Sequence, residues 1–165
     1  MSEASDNSVD SVFVPLTDEQ LRAIGLVCHH WSILQTCLER LIWCFCKLSM
    51  ETGRLVTTQI NDLTIIDITR TLCGHFLTGT PRQEALDMIG EYDSLRIERN
   101  KVVHNTWGGS EQGEFAVGFK PTAKGEFKPN TSYWHAVDIE HLAGDIENLT
   151  VRLVNFISAH VGWHA

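Results

Sequence analysis

The tetrapeptide Thr17-Asp18-Glu19-Gln20 sets a hydroxyl residue three positions ahead of a glutamine. In that arrangement each side chain bonds the other residue's backbone N–H and closes the open end of a helix. Behind it Leu21, Ile24, Cys28, Trp31, Leu34, Leu38, Leu41, Phe45 and Leu48 recur at steps of three and four. Such spacing holds an apolar stripe on one side of an α-helix, and a strand, with its period of two, does not reproduce it. Gly53 is the expected stop, because glycine takes the left-handed cap conformation freely. At ~1.5 Å per residue this helix is about 45–50 Å long. That is long for one domain, and the chain's 165 residues suit one domain with a sizeable core. The expectation is therefore a kink near Gly25 or a surface shared with another subunit.

The remaining periodicity extends the helical reading. A second helix is expected from Asn61 to about Leu77, with Ile65, Ile66, Leu72, Cys73 and Phe76 as apolar positions. Thr80 as cap, Pro81 at the first helical position and Gln83 three after the cap predict the start of a third. It carries Ala85, Met88, Tyr92, Leu95, Arg99 and Val102. A last helix starts near Asp138, carries Ile139, Leu142, Ile146, Leu149, Leu153 and Ile157, and stops at Gly162. Between the third and last helices Phe115, Val117 and Phe119 alternate with other residues, and residues 126–128 and 132–137 are candidate pairing partners. Residues 113–137 thus read as a small β-hairpin or three-stranded flap, mobile rather than core. The fold class expected is all-α in the main, a four- to five-helix bundle with a small β insertion. Its short connections favour antiparallel neighbours among the first three helices. Residues 1–15 read as a disordered tail and 16–165 as a single domain.

Composition narrows the function. The formal net charge of -8 excludes a basic field over the whole surface, so any polyanion has to be met by a local cluster. Cys28, Cys37, Cys44, Cys46 and Cys73 are an odd number, four of them in one helical segment, and form no CxxC pair. They read as small buried hydrophobes in a reducing compartment rather than a disulfide framework or zinc site. The first residues lack the basic start and apolar centre of a signal peptide, and residues 24–50 are broken by His29, His30, Gln35, Glu39, Arg40 and Lys47. The expected setting is cytoplasmic, with no membrane segment. Neighbouring His29 and His30 point ~100° apart on a helix and do not chelate together. No Gly-rich phosphate loop, nucleophile elbow or His-Glu-x-x-His is present, so no metal and no cofactor are expected.

The stretch Arg96-Ile-Glu-Arg99-Asn100-Lys101-Val-Val-His104-Asn-Thr-Trp107 is the best candidate for the local cluster. Arg99 falls on the apolar stripe of the third helix, and Arg96, Asn100 and His104 step by four along the stripe beside it. A charge placed there needs an anionic partner or an open cleft. That partner is a carboxylate such as Glu39 on the first helix, or a substrate phosphate, whose geometry suits the guanidinium fork.

Arg99-Asn100-Lys101-Val102-Val103-His104 resembles the signature of the HEPN superfamily (higher eukaryotes and prokaryotes nucleotide-binding). That signature is an Arg, four to six residues, then a His, with a polar residue after the Arg, at the end of a helix in an all-α chain. The resemblance implies a metal-independent endoribonuclease acting on RNA, of the kind found in toxin–antitoxin and phage-defence systems. It implies a homodimer whose two motifs face each other in one composite cleft, with an antitoxin or defence protein as a further partner. On this resemblance the catalytic residues are Arg99, Asn100 and His104. His104 handles a proton of the 2′-hydroxyl or the leaving 5′-oxygen, Arg99 stabilises charge on phosphorus, and Asn100 orients the ring or a phosphate oxygen. Arg96 and Lys101 hold flanking phosphates, and Trp107 stacks on a base or packs in an aromatic seam. Thr106 stands where one toxin branch carries a tyrosine that antitoxins nucleotidylate. The other reading is a non-catalytic dimeric helical interaction or small-anion-binding module, in which Arg99 pairs with Glu39 and holds the bundle in register.

Overall fold

The computed structural model describes residues 14–162 except 121, 125, 129 and 130, with side chains described outside 121–130. The expected tail thus lies largely outside the described residues.

Helix α1 (Asp18–Cys46) opens on the anticipated capping box, with Gln20 N donating to Thr17 Oγ1 at 3.2 Å and Thr17 N to Gln20 Oε1 at 3.0 Å. Its buried stripe is Gln20, Ala23, Val27, Trp31, Leu34, Leu38 and Leu41, so the first two turns are rotated by one residue from the apolar stripe read in the sequence. Leu21 and Cys28 are exposed as a result. The helix runs unbroken through Gly25, and it ends before Gly53. Lys47 takes the left-handed conformation (φ 53°) and a separate helix follows, α2 (Met50–Thr57), capped by the Ser49 hydroxyl. The role of Gly53 is close approach: a Cβ there would overlap the Trp43 indole. The local signal at Ser49 and this tight seat together stop α1 a turn and a half early.

Helix α3 (Asp62–Phe76) starts on an Asn61 cap, whose Oδ1 accepts from Thr64 N at 3.0 Å. Helix α4 (Gly79–Val103) begins at Gly79 with φ +60°, and Thr78 takes the cap position without a side-chain bond. The expected Thr80 box does not form; Gln83 instead donates to Asp87 at 2.8 Å. Helix α5 (Ala136–Phe156) continues as one π-helical turn to Gly162. Arg22 and Glu140 pair near the starts of α1 and α5, so these two helices run side by side in one direction. Because α2 carries the chain back, α1 and α3 also run in the same direction, with Phe45 and Phe76 stacked 5.4 Å apart at their far ends. The expected antiparallel pairing of these two is corrected by that extra helix. α4 runs against both, through Arg99–Asp62 to α3 and Arg152–Glu91 to α5. The core is built from α1, α3, α4 and α5 around Leu34, Ile65, Ile89, Tyr92, Ile146 and Leu149.

The β insertion is larger than a flap. Strands β1 (Thr106–Gly109), β2 (Ala116–Phe119) and β5 (Thr131–Trp134) form an antiparallel sheet with β2 in the middle. Strands β3 (Thr122–Lys124) and β4 (Glu126–Lys128) pair, among the described residues, only with each other. The sequence of β1, Thr-Trp-Gly-Gly, carries no alternation of its own. Its register makes it a strand: Trp107 faces Gly118, and Gly109 N bonds the Val14 carbonyl at 2.7 Å. Ala116 is fully buried, and Trp107 and Trp134 pack on the core from the same sheet face. The reading of 113–137 as off the core is therefore corrected for the three-stranded sheet. Among the described residues no helix is long and apolar enough to cross a membrane.

Candidate functional site

Arg99 enters the bundle near the end of α4, and its side chain is only 12% exposed. Its Nη2 donates to Asp62 Oδ2 at 2.8 Å, and its guanidinium lies 4.4 Å from the centre of the Trp31 ring. Both contacts suit a planar, weakly hydrated cation: a carboxylate in line with one donor and an aromatic face beneath. Trp31 in turn packs on Tyr92, with ring centres 4.8 Å apart. Burial first, and then the neighbouring Asp62 carboxylate, push the Tyr92 hydroxyl far above its ordinary range, so it stays protonated. Trp31 Nε1, Tyr92 Oη and Arg99 Nε are buried without a hydrogen-bond partner among the described residues. Three elements thus build the surroundings of Arg99: α1 supplies Trp31, the first turn of α3 supplies Asp62, and α4 supplies Tyr92.

The expected pairing of Arg99 with Glu39 is not what forms. Glu39 is 5% exposed and accepts from the Thr57 hydroxyl at 2.8 Å and from Arg54 Nη1 at 3.4 Å. α2, unforeseen as a separate helix, brings both donors to it. A groove of about 620 Å³ lies there, lined by Ser32, Thr36, Arg40, Arg54 and Thr58 among others. It is formed by α1 and α2, whereas Arg99 is seated among α1, α3 and α4.

The other sequence-predicted residues divide. Asn100 is half-buried beside Arg99 on the same helix. His104 is the C-cap residue, exposed, its N–H bonded to the Asn100 carbonyl at 3.2 Å. Arg96 pairs with Asp93 at 2.8 Å, and Lys101 with Glu98 at 2.6 Å. Each cation of the cluster therefore has a carboxylate at hand, and an incoming phosphate has to share it. Trp107 belongs to the packing: its indole N–H donates to the Val102 carbonyl at 2.6 Å and its ring lies against the core. That bond also satisfies one of the open carbonyls of the last turn of α4. Sequence reasoning missed Asp62, Trp31 and Tyr92 as the setting of Arg99. Trp31 and Tyr92 sit on their apolar stripes, and Asp62 reads as an ordinary first-turn acid, so no local signal sets them apart.

Among the described residues no group of three or more His, Cys, Asp or Glu side chains is arranged to hold a metal ion. No family model, curated protein or solved structure matches the chain.

Proposed function

We propose that the chain is a HEPN-type, metal-independent endoribonuclease that works as a homodimer with a composite site, in a toxin–antitoxin or defence setting. One observation carries this reading. Arg99 is oriented on two sides, by Asp62 and Trp31, while His104, five residues on, stands exposed at the end of the same helix. A fixed guanidinium and an accessible imidazole are the two groups that cleavage of a ribose phosphodiester needs. His104 takes the proton of the 2′-hydroxyl as that oxygen attacks phosphorus. The 5′-oxygen leaves and is protonated by the imidazole of the second protomer, giving a 2′,3′-cyclic phosphate and a 5′-hydroxyl. Arg99 neutralises charge on the phosphoryl oxygens, and Asn100 orients the His104 ring or one of those oxygens. Arg96 and Lys101 hold the flanking phosphates.

The test is cleavage of single-stranded RNA by the full chain in excess EDTA. Activity is expected to persist, to vanish on a substrate with a 2′-deoxy group at the cut site, and to fall by about 10²–10⁴ in His104→Ala and in Arg99→Ala. EDTA-sensitive cleavage, or full activity in His104→Ala, would falsify the mechanism. The Arg99–Asp62 pair favours the second reading, a non-catalytic module in which the arginine holds α3 and α4 in register. Wild type that cleaves no RNA decides for that reading.

A further inference from the structure

The outer face of the β1–β2–β5 sheet carries an unusual load of rings. Alternation sends Ala116, Gly118 and Trp134 inward, so Phe115, Val117 and Phe119 of the β2 segment point outward, as do Tyr133 and His135 of the β5 segment. Tyr133 is 68% exposed and Phe119 38% exposed. Phe115 meets Tyr133 edge-on with ring centres 6.3 Å apart, and lies 4.4 Å from the His135 ring. Among the described residues Phe119 and Tyr133 neither belong to the core nor pack against it.

The sheet's register sets this face beside the proposed catalytic end. Thr106, two residues after His104, is opposite Phe119, and Phe119 is opposite Thr131. So α4 delivers His104 to the same end of the strands at which Phe119 stands. The connection between Phe119 and Thr131 leaves from that end as well. Its sequence holds Lys120, Lys124 and Lys128 against Glu126, a net positive stretch within a chain of net charge -8. Lys120 is exposed where it leaves β2. Aromatic faces in a row, with local positive charge at the end nearest the proton-transfer group, are the two elements that hold a single nucleic-acid strand: stacking for bases and cations for phosphates.

We infer that the outer sheet face, Phe119 and Tyr133 above all, is a base-stacking platform that seats single-stranded RNA with its scissile phosphate toward His104. This rests on the ribonuclease reading for its occupant, and it deepens that reading by naming the substrate as unpaired RNA held without sequence-specific contacts. Stacking is sequence-tolerant, so specificity for unpaired over paired strands is expected rather than for a motif.

The experiment uses the full chain carrying His104→Ala, which removes cleavage, and measures fluorescence anisotropy of a labelled oligouridylate, its deoxy analogue and a duplex. Binding of the single strand is expected to exceed that of the duplex. Tyr133→Ala and Phe119→Ala are each expected to weaken it by about 5- to 150-fold, the equivalent of one lost stacked base. Tyr133→Phe, which keeps the ring, is expected to bind like the parent. Lys120→Ala is expected to lower the slope of log affinity against log salt by about 0.7. Circular dichroism of each variant separates lost binding from lost fold. Ring variants that bind as tightly as the parent, while wild type still cleaves and His104→Ala does not, overturn the platform and leave the nuclease standing. Single-strand binding that depends on the rings, with no cleavage by wild type, keeps the platform and overturns the nuclease. A shift of the Tyr133→Ala variant to a smaller assembly, with RNA binding unchanged, overturns the platform in favour of a contact between copies of the chain.

Discussion

At the scale of single residues, the decisive contrast lies between Arg99 and Glu39. Both are charges sunk into apolar stripes, and each is made tolerable by a donor or acceptor delivered from another helix. Removing the acceptor alone leaves Arg99 unpaired in a poorly hydrated seat, so Asp62→Ala is expected to destabilise by about 1.5–3 kcal/mol in urea unfolding. Arg99→Met keeps contact with Trp31 without the charge, and is expected to cost less; the reverse order would show that the pair is not what stabilises the seat. The cysteines give a second test. Cys28 and Cys46 are exposed, and Cys37, Cys44 and Cys73 are buried. A thiol reagent is expected to modify the first two in native protein and the other three only on unfolding, correcting the reading of all five as buried. Burial raises the Cys73 thiol from 9.0 to about 11, and raises Cys37 as well despite the nearby Arg40. A raised thiol value means that the fold favours the neutral form. Stability from this source is therefore complete below pH 9 and is lost as pH climbs toward 11, while the unfolded chain releases its proton first. The urea midpoint is expected to be flat up to that window and to fall through it, less steeply in Cys73→Ala.

Among the elements, α2 and the sheet matter most. α2 exists because Lys47 turns the chain and Ser49 starts a new helix, and it stays docked because Gly53 has no side chain against Trp43. Gly53→Ala is expected to destabilise by roughly 1–3 kcal/mol through overpacking, although alanine is the better helix former. A stabilised variant in thermal unfolding would mean that the Trp43 ring moves aside without cost. The sheet divides into a part that completes the core and a part that does not. Replacing residues 120–130 by a short turn removes β3 and β4, which form a two-stranded sheet of their own, and is expected to leave helical circular dichroism and Tm little changed. Deletion of 118–128 takes half of β2, the strand to which both β1 and β5 are bonded, and is expected to lower Tm clearly. Equal effects of the two deletions would show that β2 does not organise the sheet.

For the whole molecule, the bundle leaves apolar side chains on its surface along α2 and at the start of α3, with Met50, Leu55, Val56 and Leu63 all more than half exposed. An apolar surface of this kind, together with a proposed site that needs two copies, predicts a two-fold dimer. Sedimentation is expected to give about twice the 18.6 kDa of the chain. A monomer at tens of micromolar (the range in which a weak dimer still forms) removes the composite site.

What the sequence determined by itself is what a few neighbouring residues encode. The capping box at Thr17 and Gln20, the start of a helix at Asn61, the three-and-four apolar steps, the order of the four long helices and the place of Arg99 and His104 at the end of α4 all rest on contacts within a turn or two. The mainly helical fold with a β insertion before the last helix follows from those periods. Only the tertiary structure decided which acid meets Arg99, because Asp62 is 37 residues away and reaches it through the parallel set of α1 and α3. Glu39, on the flank of the α1 stripe, is the acid that the sequence suggests. Once the chain turns at Lys47, α2 claims Glu39 through Thr57 and Arg54. The strand at Thr106–Gly109 likewise has no pattern of its own and takes its conformation from the register with β2. Periodicity shows that a helix has a buried side, whereas the seating of that side, as in the first two turns of α1, and the partner across the gap depend on which helix the chain brings back to it.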